Sequence, residues 1–387
     1  MTVATGHSQD LDSADAIAEA LDACAAALGG KTPQAGLLFA GIDHDHQALL
    51  DGVEARYPGV QLVGCTTHGE LSSDGFAEDS VVLLLVHSDH VRFRAGVGTD
   101  ALAEPRAAAR QALAMARDGL GDAPALCLTL PEGLGLDAAA VLDTLGTDLG
   151  PDVLVYGGFA ADGLRFDRTV QFCNGAVYVG AVPVLLVAGP VRVSTGVASG
   201  WEPIGDALRA TRVDGLVLHE IDGQSPRDVW VRYLGSADLL GTRGVLAVYP
   251  DAAEGAPSEE FYLCTPSHFQ DDGSLATLNP VVEGARIRFT DPERGRVLSG
   301  AGSSAEQAAR AFPGGAPDLA LVFSCAARHA VLGTRVGLEL GELQERLPAD
   351  VPVLGFYTYG EICPLPASPQ PFHHNCTFVT VLIGEDA

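Results

Sequence analysis

The sequence predicts an α/β protein: mixed sheets flanked by helices, built from duplicated helix–strand–helix–strand–hairpin units. Three observations predict it. Short aliphatic runs such as AGLLFA (Ala35–Ala40) and LALVFS (Leu319–Ser324) alternate with alanine-rich stretches of helical length. Two apolar runs end in near-copies of one turn, GCTTHGEL at Gly64–Leu71 and GFYTYGEI at Gly355–Ile362. A weaker copy, GGFAADG, follows Tyr156, and self-similarity at long spacing is the mark of a repeat.

In chain order, Asp12 or Ser13 caps a helix running to about Leu28, and Ala35–Ala40 is a buried strand. A helix from Asp43 stops before Pro58-Gly59, and Val60–Val63 leads into the first turn. Ser80–Val86 and Val91–Val97 read as a hairpin around Ser88-Asp89. The order then restarts: a helix from Gly98-Thr99-Asp100 to Arg117, strand Ala125–Leu130, helix Asp137–Leu145 and strand Val153–Tyr156. Strands follow at Thr169–Cys173, Ala176–Val187 (broken at Pro183) and Val191–Val197. After a glycine-rich boundary come strand Leu216–Ile221, a helix capped by Ser225-Pro226, and a loop-rich stretch to Thr277. Ala285–Thr290 and Gly295–Ser299 read as a hairpin at Asp291-Pro292. The unit returns with a helix from Ser303-Ser304, strand Leu319–Ser324, a helix over Val331–Leu347, strand Val351–Leu354 and a closing strand Thr377–Ile383. The spacing also suggests a degenerate fourth unit over about 205–290.

At 387 residues the chain has room for two domains, drawn at 1–204 and 205–387. The net charge of −27 disfavours nucleic acid and anionic membranes as partners. The first thirty residues have acids and no basic n-region, and no apolar run approaches a membrane span, so the expected location is cytoplasmic. Eight scattered cysteines with no CxxC fit reduced, buried thiols.

The two turns, together with FSCAAR at Phe323–Arg328 and His374-Asn375-Cys376-Thr377, resemble the FIST family, a sensory domain of intracellular signal transduction with an N-terminal and a C-terminal half. The resemblance covers roughly residues 30 to 384 and departs at His68, where the family usually has a small residue. It implies a small ligand held between the halves, an amino acid or other small carboxylate being the expected class, and no catalytic activity. A haem-binding subfamily that senses nitric oxide makes haem the alternative cofactor. Relatives carry kinase, cyclase or receptor output domains, so a separate signalling protein, a histidine kinase or a cyclic-dinucleotide enzyme, is the expected partner.

The candidate ligand-binding residues are Cys65, Thr67, His68, Glu70, Gly157, Gly158, Cys325, Arg328, Thr358, Tyr359, Glu361, His374 and Asn375. Glycine lets a backbone turn sharply or approach a ligand. Arg328 suits a carboxylate clamp; a structural ion pair with Glu339 or Glu361 is its other reading. Glu70 and Glu361 suit a ligand ammonium or, since the turn recurs, a brace within the turn. Thr67 and Thr358 suit local hydroxyl-to-backbone bonds. His68, His373 and His374 are candidate haem or metal ligands, with solvated or hydrogen-bonded side chains as the plainer reading. His44 and His46 do not share a helix face. Cys65 and Cys325 would be the nucleophiles of a thiol-dependent enzyme, the remaining alternative.

Overall fold

The computed structural model describes residues 1–237, 244–249, 260–365 and 368–386. The first stretch gives β1 (Thr2–Ser8), α1 (Ser13–Leu28), β2 (Ala35–Ala40), α2 (His46–Arg56), β3 (Gln61–Thr66), β4 (Glu70–Ser72), β5 (Gly75–Ala77) and β6 (Val81–His87). The second gives β7 (Arg92–Gly98), α3 (Pro105–Arg117), β8 (Pro124–Thr129), α4 (Ala138–Leu149), β9 (Leu154–Gly158), β10 (Gln171–Cys173), β11 (Ala176–Tyr178) and β12 (Val182–Ala188). Next come β13 (Val191–Ala198), β14 (Trp201–Asp214), β15 (Val217–Ile221), α5 (Pro226–Leu234), β16 (Leu246–Tyr249), β17 (Tyr262–Cys264), β18 (Pro266–Phe269), β19 (Leu275–Thr277) and β20 (Arg286–Pro292). The chain ends with α6 (Arg294–Ala311), β21 (Leu319–Cys325), α7 (Ala326–Leu332), α8 (Leu338–Gln344), β22 (Val353–Thr358), β23 (Glu361–Pro364), β24 (Pro371–His374) and β25 (Phe378–Glu385).

Three six-stranded sheets share one plan. Their orders are β1-β6-β2-β3-β10-β11, β7-β12-β8-β9-β23-β24 and β13-β25-β21-β22-β4-β5. Each has one parallel pair, β2 with β3, β8 with β9, and β21 with β22. Each is finished by a short hairpin from another stretch of chain: β4-β5 joins β22, β10-β11 joins β3, and β23-β24 joins β9. Gly64, Gly157 and Gly355 stand at matching places in the three parallel pairs. A Cβ there would strike the carbonyl of Leu38, Thr129 or Val322 on the neighbouring strand. Close strand packing, rather than ligand approach, accounts for the repeated glycine.

The inner faces of the three sheets meet in one core, with Phe39, Leu84, Leu128, Leu185, Phe323, Phe356 and Val381 among its members. Helices cover the outer faces: α1 and α2 the first sheet, α3 and α4 the second, α6, α7 and α8 the third. Strands apolar on both faces, such as VVLLLV in β6, follow from this layering. Of the two residues read as caps of the first helix, Asp12 is the N-cap, accepting from Ala14 and Asp15 N–H, and Asp137, read as the start of its helix, is the N-cap of α4, accepting from Ala140 N–H.

Several elements differ from the sequence reading. Ser80–Val86 and Val91–Val97 do not pair with each other; β6 lies between β1 and β2, and β7 lies on β12. The turn at Ser88-Asp89 carries the chain from one sheet to the next. Gly295–Ser299 is not a strand but the start of α6, whose N-cap Glu293 accepts from Gly295 and Arg296. Pro183 does not break β12; its carbonyl accepts from the Thr129 hydroxyl and the Leu130 N–H. The stretch proposed as a fourth unit is a separate seven-stranded sheet, β17-β16-β20-β14-β15-β19-β18, whose strand pairs are antiparallel throughout among the described residues. It is inserted between β13 and α6, and its core includes Trp230, Ile287 and Phe289.

Candidate functional site

The three turns after β3, β9 and β22 meet at one point. Six backbone hydrogen bonds tie them into a ring. Thr66 N–H donates to Val170 (2.9 Å), Phe159 N–H to Gly360 (2.9 Å) and Tyr357 N–H to Gly69 (2.8 Å). Ala161 N–H donates to Thr66 (2.8 Å), Tyr359 N–H to Phe159 (3.3 Å) and His68 N–H to Tyr357 (2.9 Å). Most candidates from the sequence therefore do lie together.

Their side chains are largely engaged. Glu70 is fully buried and accepts from the Thr67 hydroxyl, the Ser80 N–H (3.0 Å) and the Ser80 hydroxyl (2.7 Å). Burial pushes its carboxyl up to about 7, against the pull of those donors. Glu361 in the third turn accepts from the N–H (3.0 Å) and hydroxyl of Thr377 through Oε2, while its buried Oε1 has no partner among the described residues. Burial and then the Cys325 thiol raise its carboxyl well above the usual range. In the second turn the matching residue is Gln171, whose Oε1 accepts the Ala181 N–H (3.0 Å). All three brace the residue just before a long strand of a neighbouring sheet: Ser80 before β6, Ala181 before β12 and Thr377 before β25. Thr358 donates to Phe159 O (2.6 Å) and accepts from Gly360 N–H (3.2 Å). Gly158 lies against Thr358, where a Cβ would be 2.9 Å from its hydroxyl.

Arg328 is not a free cation. It is fully buried, with Nε 2.9 Å and Nη2 2.5 Å from Glu339 Oε1. Nη2 also donates to Val297 O (2.6 Å) and Nη1 to Ser199 O. Glu339 in turn accepts from the Tyr357 hydroxyl. The carboxylate clamp is thus replaced by the ion pair with Glu339. Cys65 and Cys325 are buried, and their thiols lie well above the usual range. For Cys65 the cause is burial followed by the acids Glu70 and Glu132; for Cys325 it is the Cys376 thiol, then burial. A protonated, enclosed thiol is a poor nucleophile, which removes the support for a thiol-dependent enzyme.

His374, His44 and His46 also find hydrogen-bond partners, whereas both ring nitrogens of His373 have none among the described residues. His374 Nε2 lies 3.0 Å from Cys363 O, and burial lowers it to about 4. His373 packs on Phe159 with ring centroids 4.6 Å apart, and its nitrogens are buried against the Gly360 turn. His374, with Nε2 taken by Cys363 O, does not fit a haem. Asn375 is buried beside them, with Nδ2 unpartnered among the described residues. His44 bonds Ser13 and Asp79, and His46 bonds Gly41. All eight cysteines are free.

Two groups at the mouth of the junction stay reachable. His68 Nε2 is 2.8 Å from Nδ1 of His329, and His329 Nε2 is 3.2 Å from the exposed carboxylate of Glu78. Burial and then the His329 ring lower His68 to about 4. Tyr359 donates to Asp162 and is stacked by the exposed Phe166 at 5.0 Å. His329, Glu78, Asp162 and Phe166 were not read from the sequence as site residues. His329 is 261 residues from His68, and no local pattern links them.

A cleft of about 370 Å³ opens elsewhere, where α4 faces the inserted sheet and β24. Leu136, Ala139, Leu142 and Asp143 line one side; Leu216, Leu278, Pro280, Phe372 and His373 line the other. Asp143 is held at its rim by Arg106 at 2.6 Å. The lining is mostly apolar with a few polar groups, the usual make-up of a small-molecule site.

These features define a four-sheet α/β protein with a motif-rich junction and a separate cleft. The chain belongs to the FIST family of signal-transduction sensory domains: the FIST N domain matches residues 34–224 and the FIST C domain 227–364. It is 25% identical over 384 residues to an uncharacterized protein of Mycobacterium tuberculosis, covering 94% of this chain and 95% of that one. An uncharacterized protein of Methanocaldococcus jannaschii is 26% identical over 197 residues, 48% of this chain and 37% of that one. A solved structure of cyanuric acid hydrolase from A. caulinodans covers 100% of this chain and 99% of its own at 10% identity, with a TM-score of 0.36. Likeness at that level says nothing about activity. Among the described residues no helix is long and apolar enough to cross a membrane.

Proposed function

We propose that this protein is a small-ligand sensor whose ligand sits in the cleft between the two FIST halves. The carrying observation is the position of that cleft: α4 belongs to the FIST N segment, while Leu278 and Pro280 belong to FIST C. A ligand there touches both halves and stabilises one arrangement of them, which is what a sensor needs. The lining contributes Asp143, Thr147, Gln370 and His373 as polar groups and neither lysine nor arginine among the described residues. It therefore suits a neutral or cationic ligand with an apolar body better than a carboxylate. Output passes to a separate signalling protein that reads the ligand-bound arrangement.

The test is a thermal-shift screen of neutral, cationic and zwitterionic metabolites. A ligand at about 100 times its dissociation constant adds about 2.7 kcal/mol of stability. Ala139 is exposed and lines the cleft, so Ala139→Trp plugs it without entering the core. The expected result is a hit on the wild type that vanishes in Ala139→Trp. A hit untouched by the plug places the ligand elsewhere.

A further inference from the structure

The His68–His329–Glu78 chain joins the two halves, lies outside the cleft and is not used by the reading above. Its hydrogen positions follow from its geometry. Glu78 faces Nε2 of His329, so that nitrogen carries the proton, and Nδ1 of His329 presents a lone pair. Opposite it, 2.8 Å away, is Nε2 of His68. One proton fills the gap between two imidazole nitrogens, and a metal ion can replace it once His68 takes its other tautomer. Two nitrogens bound at about 2.0–2.1 Å in adjacent positions of a tetragonal centre stand about 2.9 Å apart. Glu78 then occupies the place of the outer carboxylate that fixes and enriches a metal-bound histidine.

We propose that His68 Nε2 and His329 Nδ1 bind a late first-row divalent cation, with Glu78 as the outer-shell acceptor of His329. The rings are already set for it. Phe76 meets His329 edge-on at 5.5 Å, Tyr357 lies 5.7 Å from the same ring, and the two imidazoles are inclined at 36°. Both histidines are partly buried, so the rings are held in place by their surroundings. Access is from the Glu78 side, which is exposed. The protein's charge of −27 draws cations toward it. Two protein ligands leave positions for water or a small donor. Among the described residues no group of three or more His, Cys, Asp or Glu is placed to hold a metal.

The experiment is titration of the full chain, stripped with chelator and dialysed, with Cu²⁺, Ni²⁺ and Zn²⁺ by calorimetry. The expected result is one tight Cu²⁺ per chain, with Cu²⁺ ahead of both Ni²⁺ and Zn²⁺, and an electron paramagnetic resonance signal showing two coupled nitrogens. His68→Ala and His329→Ala should each abolish that event, and Glu78→Gln should weaken it about ten- to a hundredfold. His68→Asn and His329→Asn, which keep a polar side chain of shorter reach, replace the alanine variants if those fail to fold. Absence of a stoichiometric Cu²⁺ event in the wild type overturns the proposal. So does an event that survives both histidine variants. A Glu78→Gln variant with unchanged affinity overturns the outer-shell role.

Discussion

The junction of turns and the inter-half cleft are opposites. The junction holds the recurring motif, yet its polar groups are mostly spent on one another: Glu70 on Ser80, Glu361 on Thr377, Arg328 on Glu339. The cleft has no motif, is lined chiefly by leucine, proline and phenylalanine, and has room for a ligand. Residue types that look reactive in a sequence can owe their recurrence to a backbone that must be braced in the same way each time. Gln171 makes the point within the junction. It stands where Glu70 and Glu361 stand and braces Ala181 without a charge, so the brace needs an acceptor and not a carboxylate.

The comparison is broken most severely at Arg328. If the junction is structural, Arg328→Ala strands Glu339 without its partner in a site that excludes water, and stability should fall by about 3–5 kcal/mol. Urea denaturation measures it; a loss below about 1 kcal/mol would mean the pair does not brace the third sheet.

Glu70→Gln is expected to have the next largest effect, and its sign depends on pH. The folded carboxyl is raised from 4.5 to about 7. A raised folded value gives stability that is whole below pH 4.5 and is lost as pH climbs through 7. The amide has no such loss. Wild type and Glu70→Gln should therefore differ least near pH 4, and at pH 8 the variant should have gained on the wild type by up to about 3 kcal/mol. Equal pH profiles for the two proteins would show that Glu70 does not titrate as a buried acid.

The smallest expected effect on stability is in the cleft. Ala139→Trp changes an exposed helix position and should leave unfolding within about 0.5 kcal/mol of wild type, while removing the ligand-induced shift. A large destabilisation without ligand would mean that the cleft walls are packed more tightly than their lining suggests.

Much of the fold was legible because local chemistry decides it. Asp12 and Asp137 announce helix starts by their side-chain acceptors, and aliphatic runs such as Leu319–Ser324 announce strands buried on both faces. What escaped the sequence depends on distant partners. β4 is three residues long and nothing in Glu70–Ser72 says that it pairs with β22. The apparent hairpin around Ser88-Asp89 has the right spacing and the wrong neighbours. α6 opens with RGRVLSGAG, whose glycines disguise a helix; Gly300 lies against the Ser199 backbone and Gly302 against the Arg346 side chain, where a Cβ would be crowded. For the site, the convergence of the three turns was legible from their repetition. The engagement of Arg328 by Glu339 was one of two readings, and burial decides between them. His329 as partner of His68 had no signal in the chain.

The exchanged hairpins have a consequence for how this molecule comes into being. Each sheet is completed by strands made elsewhere in the chain, and β13, within the FIST N segment, is paired along its length with β25 near the far end. A nascent chain that has emerged only as far as residue 224 would present β13 and the outer edge of β4 without their partners. Such edges invite association with other chains. Two strands of the first family segment, β4 and β13, thus find their sheet partners in β22 and β25, near the end of the sequence.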